Sequence, residues 1–527
     1  MRAPTSRTLL GLLDEQAAHD AAATAVVTEA GSVSYGTLAG NAHRVAGALW
    51  QSGVRRGDRV AVLTDNRAEW IEVAFGCAGL GAVLTPFNTW VKRWDLEYLL
   101  GHARPSVLVM VDRLGRQDFL ATLREVVPEL WDDEPGSWRS ASFPDLRAVV
   151  VLGSDVPRGA LAYRDWSSSC PRVGDGAEPD SVAMVLYTSG SSARPKAVPL
   201  VHRDLIANAW EIGERQGLSR QDRVFLASPL CWAFGSANAM MATLSHGATL
   251  VLQNQFDAGR AVELMEHQGC TAIYTLPAMT RALLEEPGAP ERLNSVRRGV
   301  TIGPPAEVNL VRQALGVDLI CNIYGSTETY GNCCVTPHDA DPSRRETSQG
   351  PPLPGVEIRI AGAGPVGEIH VRGRVTPGFL DADGVPVPVV DQDGWFATGD
   401  LGSLDDRGWL TFWSRETEII KTAGINVSPG EVEDFLASHP DVAEVAVAGG
   451  DDEIRGQRVV AFVRLRAGAT VSAEDLRTFC ATAIAGYKVP ALVVLVSEFP
   501  TTQTGKLSRK ELSTRATGAL LETRSVR

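Results

Sequence analysis

The first part of the chain alternates between short apolar runs and longer stretches with apolar residues at helical spacing. The pattern predicts strands at 59–63, 82–84 and 106–111, and helices at 35–52, 68–79 and 95–102. Strands that alternate with helices in this way form βαβ units around a largely parallel sheet. The sequence therefore predicts an α/β fold.

The same alternation returns after a less regular stretch at 113–145. It predicts strands at 181–186, 223–227, 249–252 and 272–276, and helices at 200–210, 236–246, 262–269 and 279–285. Short strands separated by glycine-rich turns follow at 356–361, 367–373 and 408–414. That texture is typical of a small β unit attached to the larger sheet domain.

The pattern changes again at Arg415, where a compact α+β region of about one hundred residues begins, a normal size for a domain. It predicts helices at 429–439 and 473–485, strands at 442–449, 459–465 and 491–496, and a frayed helix from 514 onwards. We therefore expect an N-terminal domain of residues 1–414 and a C-terminal domain of residues 415–527.

Composition and charge exclude several classes of function. Of the 527 residues, 44% are hydrophobic, which is enough for a sizeable core, and no apolar run is long enough to span a membrane. The net charge of −13 argues against binding to nucleic acid or to an anionic membrane surface. The eight cysteines form no C-x-x-C pair or zinc-like cluster, which favours reduced thiols in a cytoplasmic protein.

A hydroxyl-rich, basic turn follows the predicted strand at 181–186. Residues 187–199 are YTSGSSARPKAVP. Free backbone N–H groups, hydroxyls and a cation that converge at the end of a strand can hold phosphate. The turn lacks the G-x-x-x-x-G-K-[ST] pattern of a Walker loop, so from these residues alone a surface loop is an equal alternative. The candidate phosphate-binding residues are Thr188, Ser189, Gly190, Ser191, Ser192 and Lys196.

Four further motifs follow this turn in order. They are TIGPPA at 301–306, NIYGSTET at 322–329, TGDL at 398–401 and PTTQTGKL at 500–507. Each is weak alone, but five motifs in this order and at these separations form a strong signal. The set resembles the acyl-adenylate-forming superfamily of acyl-CoA synthetases, aryl-CoA ligases, carrier-protein adenylation domains and beetle luciferases. The resemblance extends over essentially the whole chain.

The resemblance implies both a fold and a reaction. The fold is a large N-terminal domain of stacked sheets with helices, joined by a hinge near Arg415 to a small, mobile α+β lid. In the reaction a carboxylate and ATP form an acyl-AMP, and a thiol then takes the acyl group. The implied cofactors are ATP or AMP, Mg²⁺ and coenzyme A, and the implied partner is a small carboxylic acid. A homodimer is left open.

The resemblance also assigns residues to the nucleotide. Tyr324 is expected to lie against the adenine, with the turn at 303–305 on the other side; its alternative is a core tyrosine. Asp400 can accept hydrogen bonds from both ribose hydroxyls, and Arg415 can donate there. The remaining nucleotide-binding candidates are Gly303, Pro304, Pro305, Asn322, Gly325 and Ser326.

Catalytic roles follow from the same resemblance. Lys506 is expected to lie over the carboxylate that attacks the α-phosphorus, because a compact cation neutralises charge on the transferring group. Its alternative is a solvated surface lysine. Thr188 and Thr327 are expected to hold phosphate oxygens. Glu328 is expected to hold Mg²⁺, which takes one or two carboxylates together with phosphate.

The second half-reaction would use the other face of the lid. Lys421 and Gly424 match positions on that face, and a residue without Cβ at Gly424 would let a narrow pantetheine arm pass. Because Lys506 and Gly424 serve different half-reactions from opposite faces, a hinge is required. Thr417 occupies the hinge position, where Asp or Lys is common in the family.

The phosphate-binding turn departs from the family pattern T-S-G-[ST]-[ST]-G-x-P-K-G. Ala193 and Ala197 replace its later glycines. If either position requires a positive φ angle, alanine costs about 1–2 kcal/mol. Two interpretations stay open. One is a working two-step ligase. The other is an enzyme that mainly forms thioesters from an acyl-adenylate delivered by an upstream adenylating enzyme.

The segment after residue 228 is expected to line the acyl pocket. Trp232 replaces the histidine that is usual there. No acidic residue follows it that could pair with an α-ammonium group, which argues against an amino acid substrate. The glycines at 303, 325 and 331 are expected to leave room for the acid. The acyl-pocket candidates are Trp232, Ala233, Phe234, Ala237 and Gly331. They favour a bulky hydrophobic carboxylic acid, although such residues also occur in plain core.

Three functional alternatives therefore remain: an acid–CoA ligase, an enzyme that acylates a carrier-protein phosphopantetheine, and a binding protein that has lost catalysis. Turnover with free CoA distinguishes the first from the second. The presence of Lys506 argues against the third.

Overall fold

The computed structural model describes residues 2–168, 173, 176–188, 195–362, 364–415, 419–500 and 509–525. The chain divides into two compact units. The large unit contains Met1–Thr89, Leu99–Leu186 and Ala197–Ser414. The small unit contains Trp90–Tyr98, Tyr187–Lys196 and Arg415–Arg527.

The first sheet of the large unit has eight strands, whose interior pairs are parallel and whose two edge pairs are antiparallel. In spatial order the strands are Cys334–Val335, Leu319–Tyr324, Arg298–Thr301, Ala272–Tyr274, Arg223–Leu226, Thr249–Leu252, Thr24–Thr28 and Gly31–Ser34. One face packs on a core of Phe225, Ile273 and Ile320 with the helices that follow these strands. The carboxyl ends of the parallel strands therefore share one edge, where open α/β sheets commonly bind ligands.

The second sheet has nine strands. In spatial order they are Pro386–Val387, Phe379–Leu380, Lys196–Val201, Val182–Thr188, Val83–Pro86, Arg59–Leu63, Val107–Val111, Ala148–Leu152 and Leu161–Ala162. The run Val107–Val111 is buried at every position, as expected of a parallel strand covered on both faces. A four-stranded sheet follows, with strands Val356–Ala361, Gly367–Gly373, Phe396–Leu404 and Leu410–Arg415. A separate hairpin pairs Arg113–Leu114 with Gln117–Asp118.

Local sequence signals account for the ends of several helices. Ser34 accepts a hydrogen bond from the Thr37 N–H at the start of Tyr35–Gln51. Left-handed glycines end two of the helices, His202–Gln216 and Ala258–Gln268. The other α-helices outside the C-terminal region are Leu9–His19, Ala68–Gly79, Arg93–Ala103, Phe119–Val126, Tyr163–Trp166, Met241–Ser245, Pro277–Glu285, Ala289–Arg292, Pro305–Asn309 and Pro342–Thr347. Tighter or wider turns form Pro128–Trp131, Phe234–Met240, Leu310–Ala314 and Thr327–Thr329.

The C-terminal part of the small unit is an α+β structure around a five-stranded sheet. Its strands are Ile425–Val427, Ile420–Thr422, Gly456–Leu465, Val442–Asp452 and Leu492–Leu495. Its helices are Pro429–Ala437, Ala473–Ala483 and Arg509–Ser525. Two of these helices pack on one face of the sheet, through Phe435 and Leu476. The last helix covers other residues of the same strands, through Leu512 and Leu520.

The small unit also contains a buried cluster of charges. The Lys488 ammonium donates to Asp95 Oδ1 over 2.7 Å and lies 2.8 Å from Glu431 Oε2. The Asp95 carboxylate also accepts the backbone N–H of Ala485. Aromatic edges surround the cluster, because Trp94 meets Phe435 and Trp90 meets Tyr487 in edge-to-face contacts. This cluster fixes the segment Trp90–Tyr98 within the small unit.

The predicted α/β architecture is confirmed, and most predicted elements lie within a few residues of their observed bounds. Three local predictions were wrong. Residues 200–201 end a strand rather than start a helix, because Lys196–Val201 pairs with Phe379–Leu380. The stretch 113–145 contains the helix Phe119–Val126. The terminal helix is longer than predicted, and its buried residues show that it is packed rather than frayed.

Within the described residues, no helix is both long and apolar enough to cross a bilayer. The cysteines in this part of the chain are free and buried.

Candidate active site

Tyr324 and Asp400 meet inside the large unit. Tyr324 ends the strand Leu319–Tyr324, and its hydroxyl donates to Asp400 Oδ2 over 2.9 Å. The tyrosine ring stacks on Phe412, with centroids 5.9 Å apart. Burial and the Asp400 charge raise the pKa of Tyr324, so its hydroxyl stays protonated and keeps donating. The two residues predicted to hold adenine and ribose are therefore adjacent.

Asp400 is held by a short turn. The Thr398 hydroxyl accepts the Asp400 N–H and donates to the Ile369 carbonyl, and the Gly399 N–H donates to Glu368 Oε1. Gly399 has a φ of 71°, a conformation that favours glycine. The Thr-Gly-Asp motif thus fixes the position of the carboxylate.

Asn322 connects the strand that carries Tyr324 to the Gly-Pro-Pro turn. Its side-chain N–H donates to the Gly303 carbonyl over 3.3 Å, and its Oδ1 accepts the N–H of Ile323. Gly303 has a φ of 151°, and a Cβ there would lie 3.0 Å from Glu307 Cβ. Strand pairing places Asn322 beside Thr301, directly before this turn. The 303–305 turn is therefore positioned by the same strand as Tyr324.

The segment after Tyr324 is anchored at its far end by Tyr330. Tyr330 has a φ of 58°, is almost fully buried, and accepts the N–H of Val201 at its hydroxyl. The Asn208 amide donates to the carbonyls of Tyr330 and Asn332. These bonds hold the single helical turn Thr327–Thr329 in place.

Thr327 and Glu328 lie half-exposed on that turn. The Glu328 carbonyl accepts the N–H of Thr376, which fixes the backbone beneath the side chain. The Glu328 carboxylate has no ion-pair partner among the described residues. No cluster of three metal-ligating side chains occurs in the described part of the chain. A single positioned carboxylate suits Mg²⁺, which commonly takes its other ligands from phosphate and water.

Two of the predicted acyl-pocket residues, Phe234 and Ala237, lie in a π-helical segment, Phe234–Met240. Phe234 meets Tyr274 edge-to-face, with centroids 5.3 Å apart. Trp232 and Ala233 are half-buried, and Ala237 is fully buried. A Cβ at Gly235 would lie 2.2 Å from the Pro229 carbonyl oxygen, so glycine is required for this tight entry to the helix. Such π-helical turns are frequent at functional sites.

At two of the glycines predicted to leave room for an acid, protein atoms already fill the position that a Cβ would take. A Cβ at Gly325 would lie 2.5 Å from the Gly331 carbonyl oxygen, and a Cβ at Gly331 would lie 2.2 Å from Asn238 Oδ1. The space beside both glycines is therefore filled by the protein itself, and that part of the prediction was wrong. Sequence reasoning also missed Asn238, although a polar residue in the apolar run FGSANAMM was a usable signal.

Ala197, one of the two alanines in the phosphate-binding motif, lies inside the strand Lys196–Val201, opposite Leu380. It is fully buried and is not among the described non-glycine residues with positive φ. Alanine is therefore unstrained at this position, and the energetic cost expected for alanine at a positive φ angle does not apply there.

In the small unit, Thr188 is half-buried at the end of Val182–Thr188, and Lys196 is half-buried at the start of the next strand. Lys421 is exposed on Ile420–Thr422, and its N–H donates to Gln457 Oε1. Gly424 has a φ of 82° in the two-residue turn that follows. Apart from its chain neighbours, no atom of the described residues lies within 4 Å of the position a Cβ would take. The open space beside Gly424 fits the predicted passage for a narrow arm.

Several predicted site residues lie outside the described residues. They are Ser189, Gly190, Ser191, Ser192, Thr417 and Lys506. For Arg415 the structure gives the backbone, at the end of Leu410–Arg415. Their assignments remain predictions.

Comparison with known proteins decides the family. The pattern of the AMP-binding enzyme family matches residues 13–380, and that of the AMP-binding enzyme C-terminal domain matches residues 431–506. The chain belongs to the AMP-binding enzyme family. Within it, the sequence relatives and the structural neighbours place the chain in the acyl-CoA synthetase/ligase group.

Two relatives are similar over nearly their full length. An indoleacetate–CoA ligase of Aromatoleum aromaticum is 33% identical over 519 residues, which cover 95% of this chain and 96% of that protein. A 3-[(3aS,4S,7aS)-7a-methyl-1,5-dioxo-octahydro-1H-inden-4-yl]propanoyl:CoA ligase of Rhodococcus jostii is 32% identical over 482 residues, covering 89% of this chain and 90% of that protein.

Solved structures agree with this placement. A double mutant of o-succinylbenzoate CoA synthetase from Bacillus subtilis, bound to a product analogue, superposes with a TM-score of 0.78 at 26% identity, covering 96% of this chain and 98% of that chain. The amide bond synthetase McbA of Marinactinospora thermotolerans superposes with a TM-score of 0.80 at 25% identity, covering 96% of this chain and 99% of that chain.

Proposed function

We propose that this AMP-binding enzyme is an acid–CoA ligase that adenylates a bulky hydrophobic carboxylic acid with Mg-ATP and transfers the acyl group to CoA. The observation that carries the proposal is the Tyr324–Asp400 pair. The tyrosine hydroxyl lies 2.9 Å from Asp400 Oδ2, so the ring proposed to lie against adenine and the carboxylate proposed to bind the ribose hydroxyls are adjacent. The Asn322–Gly303 bond supports it by holding the turn expected on the other side of the adenine.

The adenylation half-reaction needs groups that bind phosphate and neutralise developing charge. Glu328 fits a Mg²⁺ ligand, since it is half-exposed, backbone-anchored and without an ion-pair partner among the described residues. Bound Mg²⁺ would neutralise charge on the phosphates. Thr327 and Thr188 would hold phosphate oxygens, and Lys506 would stabilise the charge on the transferring group.

Thioester formation would follow at the face of the small unit that carries Lys421 and Gly424. The open space beside Gly424 supports passage of a pantetheine arm. Acylation of a carrier-protein phosphopantetheine uses the same arm, so it remains the second acceptor to test. A binding protein without catalysis is the least favoured alternative, because Glu328, Asp400 and Lys506 are all present.

The acid is proposed to be bulky and hydrophobic. The edge-to-face pair Phe234–Tyr274 and the buried Ala237 support an apolar site with aromatic walls. The two relatives are named for indoleacetate and for a bicyclic propanoate, both acids with ring bodies. An aryl or cyclic acid is therefore favoured over a small one.

A thioester-forming enzyme that relies on a delivered acyl-adenylate is the remaining alternative. It was motivated by the alanines in the phosphate-binding turn. The unstrained strand position of Ala197 removes one of those two reasons, and full ATP-dependent activity is the function we propose.

The test is mass-spectrometric detection of acyl-CoA from a panel of ring-containing acids. Each acid is offered in two forms: free, with Mg-ATP and CoA, and as the preformed acyl-adenylate with CoA. Product from both forms is expected. Product from the adenylate alone would assign the first half-reaction to another enzyme, and product with a phosphopantetheinylated carrier but not with CoA would change the acceptor.

Lys506→Ala provides the control for the two half-reactions. It is expected to abolish acyl-CoA formation from the free acid and to leave conversion of the preformed adenylate largely intact, because the lysine acts on the first step. Unchanged ATP-driven turnover in this variant would contradict the role of Lys506.

A further inference from the structure

Asn238 carries an unsatisfied amide oxygen in the interior of the large unit. The residue is about 1% exposed, and its Oδ1 has no hydrogen-bond partner in the described part of the chain. Its backbone N–H donates normally to the Ala233 carbonyl. A buried amide oxygen that accepts no hydrogen bond is costly, so such an atom calls for a physical explanation.

The other polar side chains nearby on this helix and the next do not share this property. The Ser236 hydroxyl donates to the Trp232 carbonyl, and the Thr243 hydroxyl donates to the Ala239 carbonyl. Both hydroxyls are therefore satisfied by hydrogen bonds to backbone carbonyls of the preceding helical turn. Asn238 differs because its amide points away from its own helix.

The position of the amide oxygen shows what it faces. A Cβ at Gly331 would lie 2.2 Å from it, so Asn238 Oδ1 lies against the backbone of Gly331. Gly331 directly follows the segment that carries Thr327 and Glu328, and Asn238 directly follows Ala237. The oxygen therefore lies between the helix proposed to line the acyl pocket and the motif proposed to hold phosphate.

We propose that Asn238 determines acid specificity by accepting a hydrogen bond from an N–H or O–H group on the hydrophobic body of the substrate. This inference rests on the proposed function and narrows its substrate to ring-containing acids that carry one hydrogen-bond donor. Asn332 Nδ2, on the residue that follows Gly331, is also without a partner in the described part of the chain, so a bridging water is the competing occupant and the paired acids distinguish the two.

The test compares acids that differ only in the donor. Indoleacetic acid is paired with benzothiopheneacetic acid, and hydroxyphenylpropanoic acid with its methylphenyl analogue. A site that hydrogen-bonds a donor rejects the analogue lacking it, because the oxygen is then left unpaired. The wild-type enzyme is expected to favour the donor-bearing member of at least one pair by about 10- to 100-fold in kcat/KM.

Asn238→Leu is expected to bring that ratio close to one, mainly by slowing the donor-bearing acid. Thr243→Val is the matched control, because it also replaces a buried polar side chain by an apolar one of similar size, and it should keep the wild-type ratio. Thermal unfolding checks that both variants fold. If Asn238→Leu does not fold, the inference is tested on the wild-type enzyme alone. The measurements are then the kcat/KM ratio within each acid pair and the calorimetric binding of the paired acids.

Two outcomes would overturn the inference alone: equal kcat/KM within both acid pairs, or an unchanged ratio in Asn238→Leu. Failure of every ring-containing acid to form acyl-CoA in either assay format would instead overturn the proposed function, and the inference with it. The two failures are therefore distinguishable by whether any acyl-CoA is formed.

Discussion

Ala423 is one of three described non-glycine residues with a positive φ angle, at 50°. It is followed by Gly424, with a φ of 82°, in the two-residue turn between Ile420–Thr422 and Ile425–Val427. Two positive φ angles in a two-residue hairpin define a type I′ turn, for which Asn-Gly is the preferred sequence. Alanine in this conformation carries about 1 kcal/mol of strain.

Ala423→Asn should therefore stabilise this hairpin by about 0.5–1 kcal/mol, because asparagine tolerates the left-handed conformation better than alanine. Native-state hydrogen exchange at residues 420–427 measures the change locally. Ala423→Val is the control with the opposite expected effect. A β-branched residue is disfavoured at positive φ, so this variant should increase hydrogen exchange in the hairpin. Faster exchange in Ala423→Asn would show that the turn is not strained.

The Tyr324 hydroxyl gives a second prediction at the scale of one residue. Tyr324→Phe keeps the ring but removes the donor to Asp400, so the carboxylate loses one of the bonds that orient it. We expect the KM for ATP to rise by about 3- to 10-fold, equivalent to a single hydrogen bond. Steady-state kinetics at varied ATP measure this effect.

Tyr35→Phe is the control for that measurement. Tyr35 is also buried, and its hydroxyl donates to the Ala248 carbonyl over 2.7 Å, away from the proposed nucleotide site. It should lower stability without changing the KM for ATP. An equal rise in KM in both variants would mean that the effect of Tyr324→Phe is only structural.

At the scale of single elements, the turn Thr327–Thr329 depends on groups distant in sequence. Asn208 donates to the carbonyls of Tyr330 and Asn332, and these two bonds hold the far end of the segment. Asn208→Ala leaves both carbonyls without this donor and should lower the free energy of unfolding by about 2 kcal/mol. It should also slow ATP–pyrophosphate exchange, because Thr327 and Glu328 lose their fixed backbone.

The control for this element is Gln16→Leu, which removes another buried side-chain bond, from Gln16 Nε2 to the Ser245 carbonyl. Chemical denaturation should show a lower free energy of unfolding for both variants, whereas the rate of ATP–pyrophosphate exchange should fall only in Asn208→Ala. Equal effects on exchange would indicate general destabilisation rather than loss of the anchored turn.

Elements with a strong local period were predictable from sequence, and those determined by distant partners were not. The buried run at 107–111 and the capped helix Tyr35–Gln51 carry their own signals. The strand Lys196–Val201 was missed because its pairing with Phe379–Leu380 joins segments far apart in the chain. The sequence predicts a frayed last helix because the apolar residues that pack it, such as Leu512 and Leu520, are few.

The candidate site shows the same limit. Motif order indicated Tyr324 and Asp400, but not the hydrogen bond between them. Glycines at 325 and 331 predict open space, whereas backbone and Asn238 occupy the position that a Cβ would take. A sequence shows that a side chain is absent, but only packing shows what occupies the volume.

At the scale of the whole molecule, Lys488 joins segments of the chain 393 residues apart by donating to Asp95. Burial alone would lower the pKa of Lys488, but Tyr487, Glu431 and Asp95 outweigh burial and raise it. The ammonium therefore stays charged at neutral pH. Burial is also the main reason that the pKa of Glu431 is raised above 4.5, although Lys488 opposes the shift.

The raised pKa of Glu431 fixes the sign of a pH effect. Between 4.5 and the raised folded value, the folded state binds more protons than the unfolded state, so the free energy of unfolding falls as pH rises through this window. Glu431→Gln removes the titrating group. The unfolding free energy of this variant should depend less on pH there than that of the wild type, as measured by denaturation at a series of pH values.

Lys488→Met leaves both buried carboxylates without their cation. Breaking a buried ion pair from one side costs about 3–5 kcal/mol, so the small unit should lose about that much stability at pH 7. The loss should be smaller at pH 5, because Glu431 can then take up a proton and no longer needs a cation. Hydrogen exchange in Pro429–Ala437 reports the small unit directly, and adding Glu431→Gln should recover part of the loss at pH 7. An equal loss at both pH values, or no recovery in the double variant, would mean that Lys488 stabilises the unit by packing rather than by charge.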